Sequence, residues 1–118
     1  MDLDTFRTYC LKKKGTTEET PFGPDTLVYK VMGKIFAITG FKKPMRVNLK
    51  CDPERAVGLR EEYEEVLPGY HMNKIHWNTV VSKGKMSDKM LKELTDQSYE
   101  LIVKSLKKTD QEKLESIS

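Results

Sequence analysis

The sequence predicts an α+β fold: a two-layer sandwich whose mainly antiparallel sheet is covered on one face by helices. Three observations carry that expectation. Apolar residues recur at helical spacing near the start, in the middle and towards the end of the chain. Between Leu27 and Lys50 the pattern changes to strand-like runs joined by hairpin-length connections, which makes neighbouring strands antiparallel. The order is helix, three strands, helix, one or two strands, then helices, and amphipathic helices need a sheet face to cover.

The elements follow in turn. Residues 2–13 read as a helix, with Leu3, Phe6 and Cys10 on one apolar stripe and Gly15 at its end. Thr16–Pro24 reads as a polar loop. Leu27–Met32 and Lys34–Thr39 are β-rich and meet at Gly33. Met45–Lys50 alternates, with Met45, Val47 and Leu49 facing inward and Arg46, Asn48 and Lys50 facing water. Asp52-Pro53-Glu54 starts a helix through a capping carboxylate, a proline at the first position and an acid in the first turn. Its buried stripe is Ala56, Leu59, Tyr63 and Val66, with Glu61, Glu62, Glu64 and Glu65 solvated, and Pro68-Gly69 stops it. Tyr70–Val81 returns to extended structure. Ser87 or Asp88 caps a short helix, and Asp96 starts a last one buried through Tyr99, Ile102, Val103 and Leu106. These elements make one domain over residues 1–106, followed by a polar tail, 107–118, that is expected to fray.

A chain of 118 residues with 37% hydrophobic and 33% charged side chains can bury a core and is too apolar for general disorder. It contains no apolar run of membrane-spanning length, and its first residues are acidic rather than signal-like. Cys10 and Cys51 form no CxxC pair, so neither a disulfide framework nor a cysteine zinc cluster is expected, and the chain reads as cytoplasmic.

Charge is partitioned along the chain. Residues 26–51 and 66–87 together carry nine basic groups and no Asp or Glu, while the other 70 residues sum to −6. A positive surface against a mildly acidic remainder is the expected result.

The densest cluster of capable side chains is Tyr70-His71-Met72-Asn73-Lys74-Ile75-His76-Trp77. Lys74 suits a phosphate, the asparagines suit base edges or backbone oxygens, and the rings suit stacking. Trp77 equally suits the core, and that reading is preferred on packing grounds. His71 and His76 point to opposite faces of an extended strand, and zinc needs three or four ligands, so no metal site and no cofactor are expected. No GxSxG, P-loop, HExxH or dinucleotide fingerprint occurs, so no catalytic residue is assigned. Cys10 lies on an apolar stripe. Cys51, at a strand end beside Lys50, is read as a small boundary residue.

The stretch Pro68-Gly-Tyr-His-Met-Asn-Lys-Ile-His-Trp77 resembles the signature of the MmcQ/YjbR-like family of small bacterial proteins. Glu19-Thr-Pro-Phe-Gly23, Lys30–Phe36, Asn48–Pro53 and Asp96-Gln-Ser-Tyr99 match in the same order, to about residue 106. Lys14-Gly15-Thr16 stands where members often have a Lys-Pro-Gly-type triplet. The resemblance implies a two-layer α+β fold shared with secretion chaperones. Through the likeness of that fold to a double-wing DNA-binding domain, it also implies DNA binding. It supplies no catalytic residues.

The function expected is therefore a non-enzymatic nucleic-acid-binding domain using a basic, acid-free sheet face. Lys30, Arg46, Lys50, Lys74 and His76 are the expected phosphate contacts, and Asn48 and Asn78 the polar readers. The alternative is a protein- or peptide-binding adaptor, whose sign is an exposed apolar patch. No membrane partner is expected, and oligomeric state is left open.

Overall fold

The computed structural model describes residues 1–70 and 72–117. Ten elements run in the order α1 (Leu3–Leu11), β1 (Thr16–Glu19), β2 (Thr26–Val31), β3 (Lys34–Gly40), β4 (Arg46–Lys50), α2 (Pro53–Glu62), β5 (Val66–Pro68), β6 (Trp77–Val81), α3 (Asp88–Ser105) and α4 (Lys108–Glu115). The six strands form one sheet of order β1-β2-β3-β4-β6-β5 with every neighbouring pair antiparallel.

Local chemistry explains the frame. The Asp2 side chain accepts the Thr5 N–H and starts α1. Met32 and Gly33 both have positive φ, the conformation a two-residue hairpin turn needs to match strand twist. Tyr29 pairs with Ala37 but Lys30 pairs with Ile35, which leaves Phe36 as an extra residue in β3. That bulge turns Phe36 and Ala37 both into the core, where each is fully buried. Its cost is a broken ladder, which α3 repairs. The Ser98 hydroxyl donates to the Phe36 carbonyl at 2.5 Å and accepts the Lys50 N–H at 2.9 Å.

All four helices pack on the face of the sheet that carries Tyr29, Ala37, Val47, Leu49 and Val80. Phe6 of α1 meets Tyr29 edge to face, and Tyr99 of α3 does the same to Phe36. Asn78 donates to the Ala56 carbonyl of α2, and Leu114 of α4 is buried in the same cluster.

Five expectations are corrected. Thr16–Glu19 is an edge strand rather than loop, secured by Glu18, which accepts from Arg7 at 2.8 and 2.9 Å and from the Tyr29 hydroxyl at 2.6 Å. The middle helix ends at Glu62, and Val66 is buried through β5, where it pairs with Val80. Its neighbour Glu65 is buried rather than solvated, and accepts the Lys85 N–H across the turn after β6. The C-terminal stretch is α4 rather than a frayed tail, because Leu114 gives one apolar anchor to an otherwise polar segment. Residues 88–105 form one helix, not two, with Ser87 as its cap.

Candidate nucleic-acid interface

The sheet face away from the helices is defined by the register. Arg46 pairs with Val81, Asn48 with Thr79 and Lys50 with Trp77, and side chains alternate along each strand. Arg46, Asn48 and Lys50 therefore point away from the buried Val47 and Leu49. Lys30 of β2 shares that side and pairs with Glu19 of β1 at 3.2 Å. Among the described residues Arg46, Lys50 and Lys74 make no ion pair. The open-side positions within β2, β3, β4, β5 and β6 hold no carboxylate; Glu19 stands at the β1 edge, and Glu65, whose carbonyl accepts the Val81 N–H, immediately precedes β5.

The loop between β5 and β6 is docked on this face by a small polar network. The Thr79 hydroxyl donates to Asn48 Oδ1 and accepts the Tyr70 N–H at 3.0 Å, while Asn48 Nδ2 donates to the Tyr70 carbonyl at 3.3 Å. Further on, Asn73 Oδ1 accepts the N–H groups of Ile75 and His76, and the Asn73 carbonyl accepts that of Trp77. Lys74 Nζ donates to the Gly69 carbonyl at 3.2 Å. Gly69 is required here: a Cβ would lie 2.8 Å from both the Cβ and the carbonyl oxygen of Trp77. Backbone groups and the side chains of Asn48, Thr79, Asn73 and Lys74 fix the loop, and Tyr70, Ile75 and His76 are left exposed.

The sequence-assigned residues separate accordingly. Lys30, Arg46, Lys50, Lys74 and His76 have side chains that reach solvent, with Lys30 held by Glu19. Asn48 is on the expected face, but its amide is occupied in anchoring Tyr70 and Thr79. Asn78 does not belong to this surface. It pairs with Leu49 on the helix side, is 2% exposed, and donates to Ala56. The period of two places it there, since Val80 is core and Asn78 is two residues away. The same alternation corrects Trp77, which is half-buried on the open side opposite Lys50 rather than in the core. His71 lies outside the described residues.

Neither thiol is activated. Burial pushes the Cys10 thiol up to about 12, and burial likewise raises that of Cys51, whose Sγ sits 3.6 Å from Gln97 Oε1. Among the described residues no three His, Cys, Asp or Glu side chains gather as metal ligands, and no helix is long and apolar enough to cross a membrane.

Taken with the topology, the described residues form an α+β fold with four helices on one side of a six-stranded antiparallel sheet and a cationic, loop-decorated surface on the other. The chain belongs to the YjbR family, whose model matches residues 11–101. It is 38% identical over 95 residues to the uncharacterized protein YbdF of Escherichia coli O157:H7, covering 80% of this chain and 78% of that one. It is 32% identical over 107 residues to the uncharacterized protein YjbR of Escherichia coli K12, covering 90% and 91%. The crystal structure of Deinococcus radiodurans protein DR2400 superposes with a TM-score of 0.88 at 37% identity, over 95% of this chain and 86% of that one. A crystal structure from Pseudomonas syringae gives a TM-score of 0.75 at 30% identity, over 86% of this chain and 98% of that one.

Proposed function

We propose that this chain is a non-enzymatic nucleic-acid-binding domain acting through the open face of its sheet, in the cytoplasm. The observation that carries the reading is the absence of carboxylates from the open positions of the five strands beyond β1, where Arg46 and Lys50 make no ion pair among the described residues. A polyanion gains from such a face by releasing condensed counterions, and a neutral partner does not. Lys30 contributes less than its charge suggests, because Glu19 neutralises it locally.

The test is an anisotropy titration of labelled DNA at about 50 and 200 mM salt. With roughly four phosphates engaged, log affinity falls with log salt at a slope of about −3 to −4. The double reversal Arg46→Glu and Lys50→Glu abolishes the binding. Undiminished affinity in that variant sinks the proposal.

One observation favours a second reading. Phe22, Phe41 and Ile75 are 66%, 56% and 62% exposed on loops, the apolar display that a protein-binding adaptor uses. A protein partner held by these side chains binds with little salt dependence, which separates the two readings in one titration.

A further inference from the structure

We infer that the nucleic acid taken by this face is unpaired, with bases stacked on Trp77 and Tyr70 and phosphates on Lys50, Arg46 and Lys74. The inference rests on the nucleic-acid reading above and adds the strandedness of the ligand.

Three observations carry it. The first is the shape of the face. Every helix lies on the opposite side of the sheet, so this side offers no helix to a major groove, and a six-stranded face is broader than the two-stranded ribbon that groove admits. The second is where the rings sit. Trp77 is half-buried and directly opposite Lys50 across the β4–β6 pair. Tyr70 is 68% exposed, and its own backbone is bonded on both sides to the Thr79–Asn48 pair in the middle of the same face. The loop thus fixes an exposed ring beside a row of cations. In a duplex the bases are stacked on one another and present only edges and backbone, so rings on a protein surface have no π-face to meet. Unpaired bases offer one each, and sequence-tolerant stacking beside a cationic track is how single strands are held.

The third observation is spacing. Arg46, Asn48 and Lys50 alternate along β4 at roughly 6.7 Å per step, so the two cations are about 13 Å apart in a straight line. That line runs past the Thr79–Trp77 segment of β6, which places the cations along one track and the aromatic side chain at its end. Asn48, occupied with the loop backbone, serves here as a positioning residue for Tyr70 rather than as a reader.

The experiment uses the full chain and two probes, a labelled oligothymidylate of about twelve nucleotides and the duplex it forms with its complement. Trp77, the only tryptophan, reports its own environment in the same samples. The single strand is expected to bind at least tenfold tighter than the duplex and to quench Trp77 emission. Trp77→Leu is expected to weaken single-strand binding about tenfold and duplex binding little. Tyr70→Ser, which keeps the backbone bonds to Thr79 and Asn48, should weaken it about fivefold in a variant whose urea midpoint is checked alongside. Equal or tighter duplex binding overturns the inference and leaves the nucleic-acid reading standing. Single-strand binding that neither quenches Trp77 nor responds to Tyr70→Ser overturns it as well, by placing the strand elsewhere. Binding to neither probe at low salt overturns the reading on which it rests.

Discussion

Two family-matching stretches of this chain do opposite things with their side chains. In Asp96-Gln97-Ser98-Tyr99 on α3, each side chain bonds to another element of the fold, although only Ser98 is fully buried. Asp96 accepts from the Tyr9 hydroxyl at 2.6 Å and from Lys13, and Gln97 accepts from Cys51. Ser98 joins β3 to β4, and the Tyr99 hydroxyl donates to the Lys14 carbonyl at 2.6 Å. In the stretch from Gly69 to Trp77, glycine, asparagine and lysine shape the loop, and tyrosine, isoleucine and histidine are turned out. A motif matched by resemblance thus identifies a fold with equal force in both places, yet only the second leaves chemistry at the surface. Substitutions in the first should cost stability, and in the outward half of the second should cost binding alone.

The largest expected effect is at Ser98. Its removal orphans a buried N–H and a buried C=O at the bulge, each worth roughly 1–3 kcal/mol unsatisfied, so Ser98→Ala should destabilise by about 2–4 kcal/mol. Urea denaturation reads this as a lower midpoint at unchanged slope. A shift below about half a kcal/mol would mean that the β3–β4 junction closes without α3, and the contrast between the two stretches would fail on its structural side.

Gly69→Ala comes next, since it belongs to the loop-shaping half of the second stretch. Its Cβ cannot fit 2.8 Å from backbone and side chain of Trp77 without moving β6, a cost of about 1–3 kcal/mol. The emission maximum of Trp77 should shift in the folded variant. Unchanged stability and emission would show that the loop has room to spare and does not fix its exposed rings.

Much of this architecture is legible in local pattern. Alternation located β4 and its wet side, Gly33 located the hairpin, and Asp52-Pro53 located the start of α2. What was not legible depends on partners distant in sequence. Thr16-Thr-Glu-Glu has no apolar alternation and is a strand because Glu18 meets Arg7 and Tyr29. Val66 fits the α2 stripe as well as it fits a strand, and only pairing with Val80 decides. Asn78 and Trp77 lie on the faces opposite to those expected, because the extended run from Tyr70 carries no register of its own. Once Val80 is known to be core, the period of two assigns both. The buried carboxylate of Glu65 left no local signal, hidden at the end of an acidic run.

Glu18 tests the edge strand by pH. Hydrogen bonds from Arg7, and after burial opposes them that from Tyr29, hold its carboxyl below its ordinary value near 4.5. A lowered native pKa means the unfolded chain takes up protons first as pH falls. The stabilisation is therefore complete above about pH 4.5 and lost as the pH drops through the native value. Glu18→Gln should cost about 1–2 kcal/mol at neutral pH, and its gap from the parent protein should close below pH 4. A gap constant with pH would show that Arg7 and Tyr29 hold the protonated acid as well as the carboxylate, and that the charge plays no part in holding β1.

The smallest stability effects are expected on the outward half of the second stretch and the cationic row beside it. Arg46→Ser and Ile75→Ser remove exposed side chains that make no ion pair among the described residues, and each should change stability by less than about 0.5 kcal/mol. The near-zero value is informative because neither residue has an internal reason to be there. If either substitution cost more than about 1 kcal/mol, the side chain would be packed within the protein and the open face would be narrower than the register draws it. If both are silent in denaturation while Arg46→Ser weakens binding, this surface is kept for a partner, and the division between the two stretches holds at the level of single residues.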